Sequence, residues 1–331
     1  MGPSNTLLLT RQEVASLLSI GECMDAVEKA FKLHAEGRAA TPKILGLHVS
    51  NGGFHIKAGV MNLGQEYFVA KTNANFPDNQ KKNGLPTIQG IIVVCDADNG
   101  RLLALMDSIE ITIIRTGAAT GVAAKYLARP DSKIATICGC GNQGRISLKA
   151  ILKTRQLEKV YAYDTDSLRA KKFSQEWSAE SGISVLVVDK LEWAIKQSDI
   201  VVTCTTSKKP FLKKEYVKPG TFIAAVGADS EEKQELEPDL LTTCKLVTDL
   251  TDQCAMIGEL HHALSLELAT RDKVHAELGE IVAGRKPGRT SDHEVIIFDS
   301  TGTALQDVAA AVIVYEKATR KGNSLVLDFA N

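Results

Sequence analysis

The sequence has almost no excess of charge: 39 basic residues against 40 acidic ones leave a formal net charge of -1 over 331 residues. Neither a polybasic block nor an acidic tail disturbs that balance. This argues against nucleic acid or an anionic membrane as partner, and for a small molecule. Long apolar runs are also missing. The opening stretch MGPSNTLLLTRQEV lacks the apolar core of a secretory leader, and no later segment is long enough to cross a bilayer, so the expected compartment is cytoplasmic. Seven cysteines, at 23, 95, 138, 140, 204, 244 and 254, form no zinc spacing, and their odd number in a reducing compartment implies free thiols. His261-His262 makes a poor metal pair, since adjacent side chains on a helix diverge and no third ligand is evident; no metal is expected. Internal repeats and low-complexity segments are absent.

The length exceeds one typical core, so two domains are expected. Thr10-Arg11-Gln12-Glu13 has the form of a capping box and opens two amphipathic helices that run to about Gly37. Strand patterns follow at Ile44 to Val49, Phe54 to Val60, Tyr67 to Thr72, Ile88 to Asp96 and Leu102 to Met106. They are separated by Asn51-Gly52-Gly53, Asn83-Gly84 and Asp98-Asn99-Gly100, read as turns able to take positive φ. A mostly antiparallel sheet with two N-terminal helices is the result. A helix of small and apolar residues, Ile109 to Ala128, leads to Arg129-Pro130 and into a second region where strands alternate with helices. That alternation implies a parallel sheet with crossover helices. A last helix, Thr303 to Lys321, returns to the first domain, giving an α/β protein with domains at 1-115 plus 303-331 and at 116-302.

The second region opens with Gly139-Cys140-Gly141-Asn142-Gln143-Gly144 between an apolar strand, Ile134 to Cys138, and a helical pattern. The first glycine permits a tight turn, the second admits a pyrophosphate, and the third lets helix and strand pack closely. The helix N-terminus offers N–H donors to the phosphates. Asp164, closing the next strand, is placed to accept hydrogen bonds from a ribose diol. A dinucleotide site is therefore expected.

The first domain holds cations where the alternating pattern puts them on a sheet face, Lys57 and Lys71. Arg115 lies within a helix of small residues, Arg115-Thr116-Gly117-Ala118-Ala119, which allows close approach to another backbone or the cofactor. Together the three cations form a clamp for a carboxylate. In the second domain the strand Thr221 to Val226 ends in Gly227-Ala228-Asp229-Ser230. Ligands of open parallel sheets bind beyond the strands' carboxyl ends, so Asp229 is the candidate to exchange a proton beside a nicotinamide.

These segments, in order with Lys71-Thr72-Asn73-Ala74-Asn75-Phe76-Pro77, Gly84-Leu85-Pro86-Thr87 and Phe298-Asp299-Ser300-Thr301-Gly302, resemble the ornithine cyclodeaminase/mu-crystallin family over essentially the whole chain. The resemblance implies a homodimer that pairs through the sheets of its first domains, with a Rossmann domain on each subunit. Family members include ornithine cyclodeaminases, alanine dehydrogenases, reductases of cyclic and linear imino acids, and mu-crystallin, which binds NADPH and thyroid hormone. By that resemblance Lys71 and Arg115 bind the substrate carboxylate, Lys43 stands near a third basic ligand, and Asp229 matches the catalytic acid/base. His55, Lys57 and Thr87 join the substrate set. The cofactor set is Thr116, Gly139, Gly141, Asn142, Gln143, Gly144, Asp164, Thr205, Gly227 and Ser300.

Cyclodeaminases of the family resemble one another in carrying an acidic residue near the position of Lys57, where it holds the distal amine of ornithine. A cation there makes ornithine an awkward substrate and a second carboxylate an attractive one. The expected activity is an NAD(H)-dependent imine reductase or amino-acid dehydrogenase, with iminosuccinate among its candidate substrates. Ornithine cyclodeamination and a mu-crystallin-like binding role remain the alternatives. Asp164 favours NAD over NADP by repelling a 2′-phosphate, whereas the nearby Arg169 leaves NADP(H) possible.

Overall fold

The computed structural model describes residues 5–329; Met1 to Ser4 of the opening stretch and the last two residues of the 303–331 segment lie outside the described part. The chain divides into two compact units, Met1–Arg115 with Thr303–Asn331, and Thr116–Gly302.

Chain order in the first unit is β1 (Asn5–Leu9), α1 (Arg11–Leu17), α2 (Ile20–Ala35), β2 (Lys43–Val49), β3 (Gly52–Asn62), β4 (Glu66–Asn75), α3 (Asn79–Asn83), β5 (Ile88–Asp96), β6 (Leu102–Asp107) and the start of α4 (Ile109–Leu127). The second unit follows with β7 (Ile134–Cys138), α5 (Asn142–Ile151), β8 (Lys159–Tyr163), α6 (Ser167–Ser181), β9 (Ser184–Val187), α7 (Leu191–Gln197), β10 (Ile200–Thr203), β11 (Phe222–Ala225), α8 (Pro238–Thr243), β12 (Lys245–Thr248), α9 (Thr251–Ile257), α10 (Glu259–Ser265), β13 (Val274–Glu277), α11 (Leu278–Val282) and β14 (Ile296–Asp299). Finally α12 (Ala304–Lys321) and β15 (Leu325–Asp328) complete the first unit.

The first unit's sheet has the order β15-β1-β6-β5-β4-β3-β2 and is antiparallel except for the β1–β6 pair. Both helical entries carry complete capping boxes, Thr10 with Glu13 and Ser19 with Glu22, which satisfy first-turn N–H groups that otherwise lack partners. Alternation decides what each sheet face does. His55, Lys57 and Gly59 of β3 stand opposite Asn73, Lys71 and Val69 of β4, so all six share one face. That face carries α12, which crosses at Gly59: an added Cβ there would come within 3.4 Å of Ala304 and Val308. The opposite face leaves Leu45, Leu47, Phe54, Ile91, Leu325 and Leu327 exposed.

Two of the expected turn glycines serve otherwise. Gly52 and Gly53 belong to β3 and have no positive φ; Gly52 is required because an added Cβ would lie 2.4 Å from the Asn75 carbonyl oxygen. Gly84 and Gly100 do adopt the left-handed region expected of them, at φ 67° and 77°.

The second unit's eight strands are all parallel, in the order β13-β12-β14-β11-β10-β7-β8-β9. The order reverses between β7 and β10, which both start their connections from the same sheet edge. Doubly wound sheets bind ligands in the crevice at such a reversal. The run of small residues in α4 has a definite use here: an added Cβ at Gly117 would sit 2.8 Å from the carbonyl oxygen of Ile146, so α4 and α5 pack backbone to backbone.

Candidate functional site

In the first unit α12 is an apolar helix interrupted by Gln306 and Asp307, both fully buried. Asp307 Oδ1 accepts a hydrogen bond from Lys71 Nζ at 2.7 Å, and Arg115 Nε lies 3.1 Å from the same oxygen. Arg115 Nη1 donates to Gln306 Oε1 at 2.8 Å. Lys57 faces Lys71 directly across the β3–β4 ladder, a placement that is unfavourable for like charges unless an anion is shared. Lys57, Lys71 and Arg115 are all buried. Asp307 Oδ2, Gln306 Nε2 and Arg115 Nε are buried without a hydrogen-bond partner, which marks a place where a polar ligand or water belongs.

Burial pushes Lys71 down to about 7, with Asp307 opposing that shift and the Arg115 and Lys57 charges reinforcing it. For Asp307, burial works towards the neutral form, yet the charges of Lys71 and Arg115 prevail and hold it below the ordinary carboxylate range. The cluster is a shared anion surrounded by cations, and a bound carboxylate would favour the charged form of Lys71.

The structure brings Lys71, Arg115 and Lys57 together as expected, and places His55 on their face, half-buried. Lys43 is a correction. It pairs with Ala58, so the two-residue period turns its side chain to the face opposite Lys57, where it is exposed. Thr87 sits in the loop before β5, with its carbonyl accepting from Phe76 N at 2.8 Å. Asn73 Oδ1 accepts from Ser108 Oγ, just before α4, at 2.6 Å, which fixes the end of β4 next to Lys71.

In the second unit the Gly-rich turn follows β7 at the reversal point. Gly139 has φ 104°, and an added Cβ would sit 2.9 Å from the Cys204 carbonyl oxygen. At Gly144 it would sit 2.0 Å from the Gly139 carbonyl oxygen, whereas at Gly141 nothing lies within 4 Å. The outward surface of the turn is therefore open. No side chain caps the N-terminus of α5, where Asn142, Gln143 and Gly144 supply the first-turn N–H groups, and Gln143 Oε1 is buried without a hydrogen-bond partner. These residues fit the pyrophosphate of a dinucleotide.

Asp164 closes β8, as expected for a ribose ligand, but its oxygens also build the turn: Oδ2 accepts from Cys140 N at 2.8 Å and Oδ1 from Asp166 N at 2.9 Å. Arg169 Nη1 stands 3.8 Å away. Thr116 is buried in α4. Thr205 and Gly227 follow β10 and β11, and their backbone N–H groups both donate to the buried Glu235. Asp229, two residues beyond Gly227, is half-exposed and paired with Lys233. Ser300 follows β14 and is buried, its hydroxyl donating to Asp249 Oδ2 at 3.3 Å.

Sequence reasoning missed Asp307, Gln306 and Glu235. The signal for the first two was present, because a polar Gln-Asp pair inside the apolar run of α12 has to be satisfied internally.

A doubly wound unit with an open Gly-rich turn, joined in sequence to a unit with buried cations, defines an NAD(H)-dependent oxidoreductase. The chain belongs to the ornithine cyclodeaminase/mu-crystallin family, whose model matches residues 4–322. It is 42% identical over 317 residues to alanine dehydrogenase of Archaeoglobus fulgidus, covering 96% of each chain. Iminosuccinate reductase of Paracoccus denitrificans is 34% identical, with 96% of this chain and 98% of that protein covered; its structure with NAD+ superposes with a TM-score of 0.90. The Δ1-pyrroline-2-carboxylate reductase of Thermococcus litoralis, solved with NADH and L-proline, is 36% identical, with a TM-score of 0.92 over 97% of this chain and 99% of that one.

A pH dependence follows from Lys71. Its charged form prevails below about pH 7, so a carboxylate ligand should bind tightly there and lose up to about tenfold in affinity per pH unit above it. Asp307→Asn removes the charge that supports the protonated amine and should move the inflection to lower pH. Titrating a non-reacting carboxylate between about pH 5.5 and 8.5 checks both expectations; a flat profile in the wild type would contradict them.

Proposed function

We propose that the chain is an imine reductase and amino-acid dehydrogenase. It interconverts a small 2-imino acid, or a 2-oxo acid plus amine, and an L-amino acid, with NAD(H) as coenzyme. Within this class the leading substrate is dicarboxylic, iminosuccinate giving aspartate. The observation that carries the reading is the charge cluster of the first unit: Lys57, Lys71 and Arg115 are buried around one carboxylate, Asp307. Lys71 and Arg115 share the single carboxylate of Asp307, which leaves room for a further negative charge beside them.

When bound, the nicotinamide supplies or accepts a hydride at the substrate α-carbon. The chain's own residues orient and protonate. Lys71 and Arg115, held in place by Asp307 and Gln306, fix the α-carboxylate; Lys57 on the neighbouring strand attracts the distal one. Asp229 gives the proton to the imine nitrogen, or takes it from the ammonium in the reverse direction, and Lys233 restrains its carboxylate. Asp164 favours the NAD ribose and opposes a 2′-phosphate, while Arg169 leaves weak use of NADP(H) open.

Lys57 also weighs against cyclodeamination. The distal ammonium of ornithine would meet it at a cost of about 4 kcal/mol for unit charges about 4 Å apart at an effective dielectric of about 20. Asp229 weighs against a pure binding protein, since a proton-transfer group stands after β11 where the ligand crevice of such a sheet opens.

The exposed apolar sheet face of the first unit, with Leu45, Leu47, Phe54, Ile91, Leu325 and Leu327, supports a homodimer formed sheet to sheet. One of the structures similar to this chain is itself described as an alanine dehydrogenase dimer with bound NAD.

Three outcomes are expected. NADH oxidation with oxaloacetate plus ammonia should exceed that with pyruvate, glyoxylate or cyclic imino acids, and Lys57→Met should erase the preference; ornithine-driven ammonia release would contradict the reading. Asp229→Asn should bind NADH as the wild type does and lose about 10²-fold or more in turnover. Leu47→Asp combined with Phe54→Asp should yield a monomer by sedimentation, and an unchanged dimer would place the interface elsewhere.

A further inference from the structure

The second unit buries three carboxylates in series with no cation bonded to any of them. Asp299, at the end of β14, accepts from the backbone N–H groups of Glu259 at 3.1 Å and Leu260 at 2.9 Å. Glu259, at the start of α10, accepts in turn from Glu235 N at 2.8 Å and Leu236 N at 3.1 Å. Glu235 then accepts from Thr205 N at 2.6 Å and Gly227 N at 3.1 Å. Each carboxylate takes one backbone N–H on each oxygen, and the residue supplying each carboxylate after Asp299 is itself anchored by the one before it.

The last link ends on the two strand-end loops that matter most. Thr205 follows β10, the strand beside the reversal point, and Gly227 begins the loop after β11 that carries Asp229. The contact leaves no room for a side chain at 227, where an added Cβ would lie 2.3 Å from Glu235 Oε2. Glycine is therefore needed so that the carboxylate can reach both loops at once. A carboxylate suits the task because it is acceptor-only on both oxygens, whereas an amide presents one acceptor and one donor.

We propose that Glu235 is a positioning residue for the hydride-transfer step: by holding the β10 and β11 loops at a fixed separation, it sets where the nicotinamide and Asp229 stand relative to each other. Glu259 and Asp299 fix Glu235 itself. The inference rests on the reading that these loops frame the nicotinamide. It goes beyond that reading by assigning the reaction's geometry to a buried acid that touches neither substrate nor coenzyme.

Glu235→Gln tests it. The amide keeps size and shape but turns one acceptor into a donor facing a backbone N–H, so one loop is released. The expected result is a fall in kcat of about 10²-fold, with KM and the Kd for NADH changed by less than about threefold and an unmasked primary deuterium isotope effect from 4-deuterated NADH. A folded Glu235→Gln enzyme with wild-type kcat overturns the proposal, as does a loss carried wholly by NADH affinity. Should Glu235→Gln not fold, Glu235→Asp replaces it; too short to reach both amides, it should show the same split. If the wild type itself turns over no imino or amino acid, the functional reading has failed instead. The emission spectrum and lifetime of bound NADH then decide, and identical values in wild type and variant overturn the positioning role.

Discussion

Asp307 is the interaction on which the first unit depends. One carboxylate, carried into the core by a helix from the far end of the chain, meets a lysine from β4 and an arginine from α4. Three separated stretches of sequence are thereby brought to one point. Removing Asp307 would leave Lys71 and Arg115 buried without the anion they share, and breaking a buried pair in this way costs about 3–5 kcal/mol. The same arrangement is incomplete as electrostatics: it binds its cations together without cancelling them. A fold that buries an excess of positive charge is stabilised when an anion arrives, and this couples the order of α12 on its sheet to carboxylate binding.

Much of this was legible before any coordinates. The two-residue period placed Lys57 and Lys71 on a sheet face, and the ladder sets them directly opposite each other. The spacing of strand, Gly-rich turn, helix and Asp164 described the second unit's first crossover, where Gly139 and Gly144 meet backbone too closely for a side chain while Gly141 faces open space. Lys43, assigned by the family resemblance, stands on the other face because register, which depends on the partner strand, decides which way a side chain turns. The short strands β1, β13 and β15 escaped for a related reason. Val-His-Ala-Glu of β13 has no apolar run of its own and is a strand only because β12 offers it a ladder.

The two units handle buried acid in opposite ways. In the first, Asp307 is compensated by full charges, and the pairing resolves into a site with capacity for a ligand. In the second, Glu235, Glu259 and Asp299 each accept two backbone N–H groups in place of a full countercharge, which cost little reorganisation because the loops and helix ends already lack partners. Burial pushes Asp299 up to about 7, and burial with the neighbouring acids Glu235 and Asp299 holds Glu259 well above the ordinary carboxylate range. Such a network was invisible in sequence: its members are 24 and 40 residues apart, and each alone looks like an ordinary solvated acid.

Asp164 shows how a single residue can serve fold and selectivity together. Because its oxygens accept from Cys140 N and Asp166 N, the carboxylate is fixed to the Gly-rich turn and cannot swing aside for a larger ligand without loosening that turn. Each oxygen retains a second lone pair, so a ribose hydroxyl can be accepted without breaking either bond. A 2′-phosphate has no proton to offer at neutral pH and would meet a fixed negative charge. Arg169, half-exposed and 3.8 Å from Asp164 and 3.6 Å from Asp166, would moderate that repulsion without replacing it. On the proposed ribose role, Asp164 would favour NAD(H) by its rigidity as much as by its charge, and rigidity of this kind is a property of the folded turn.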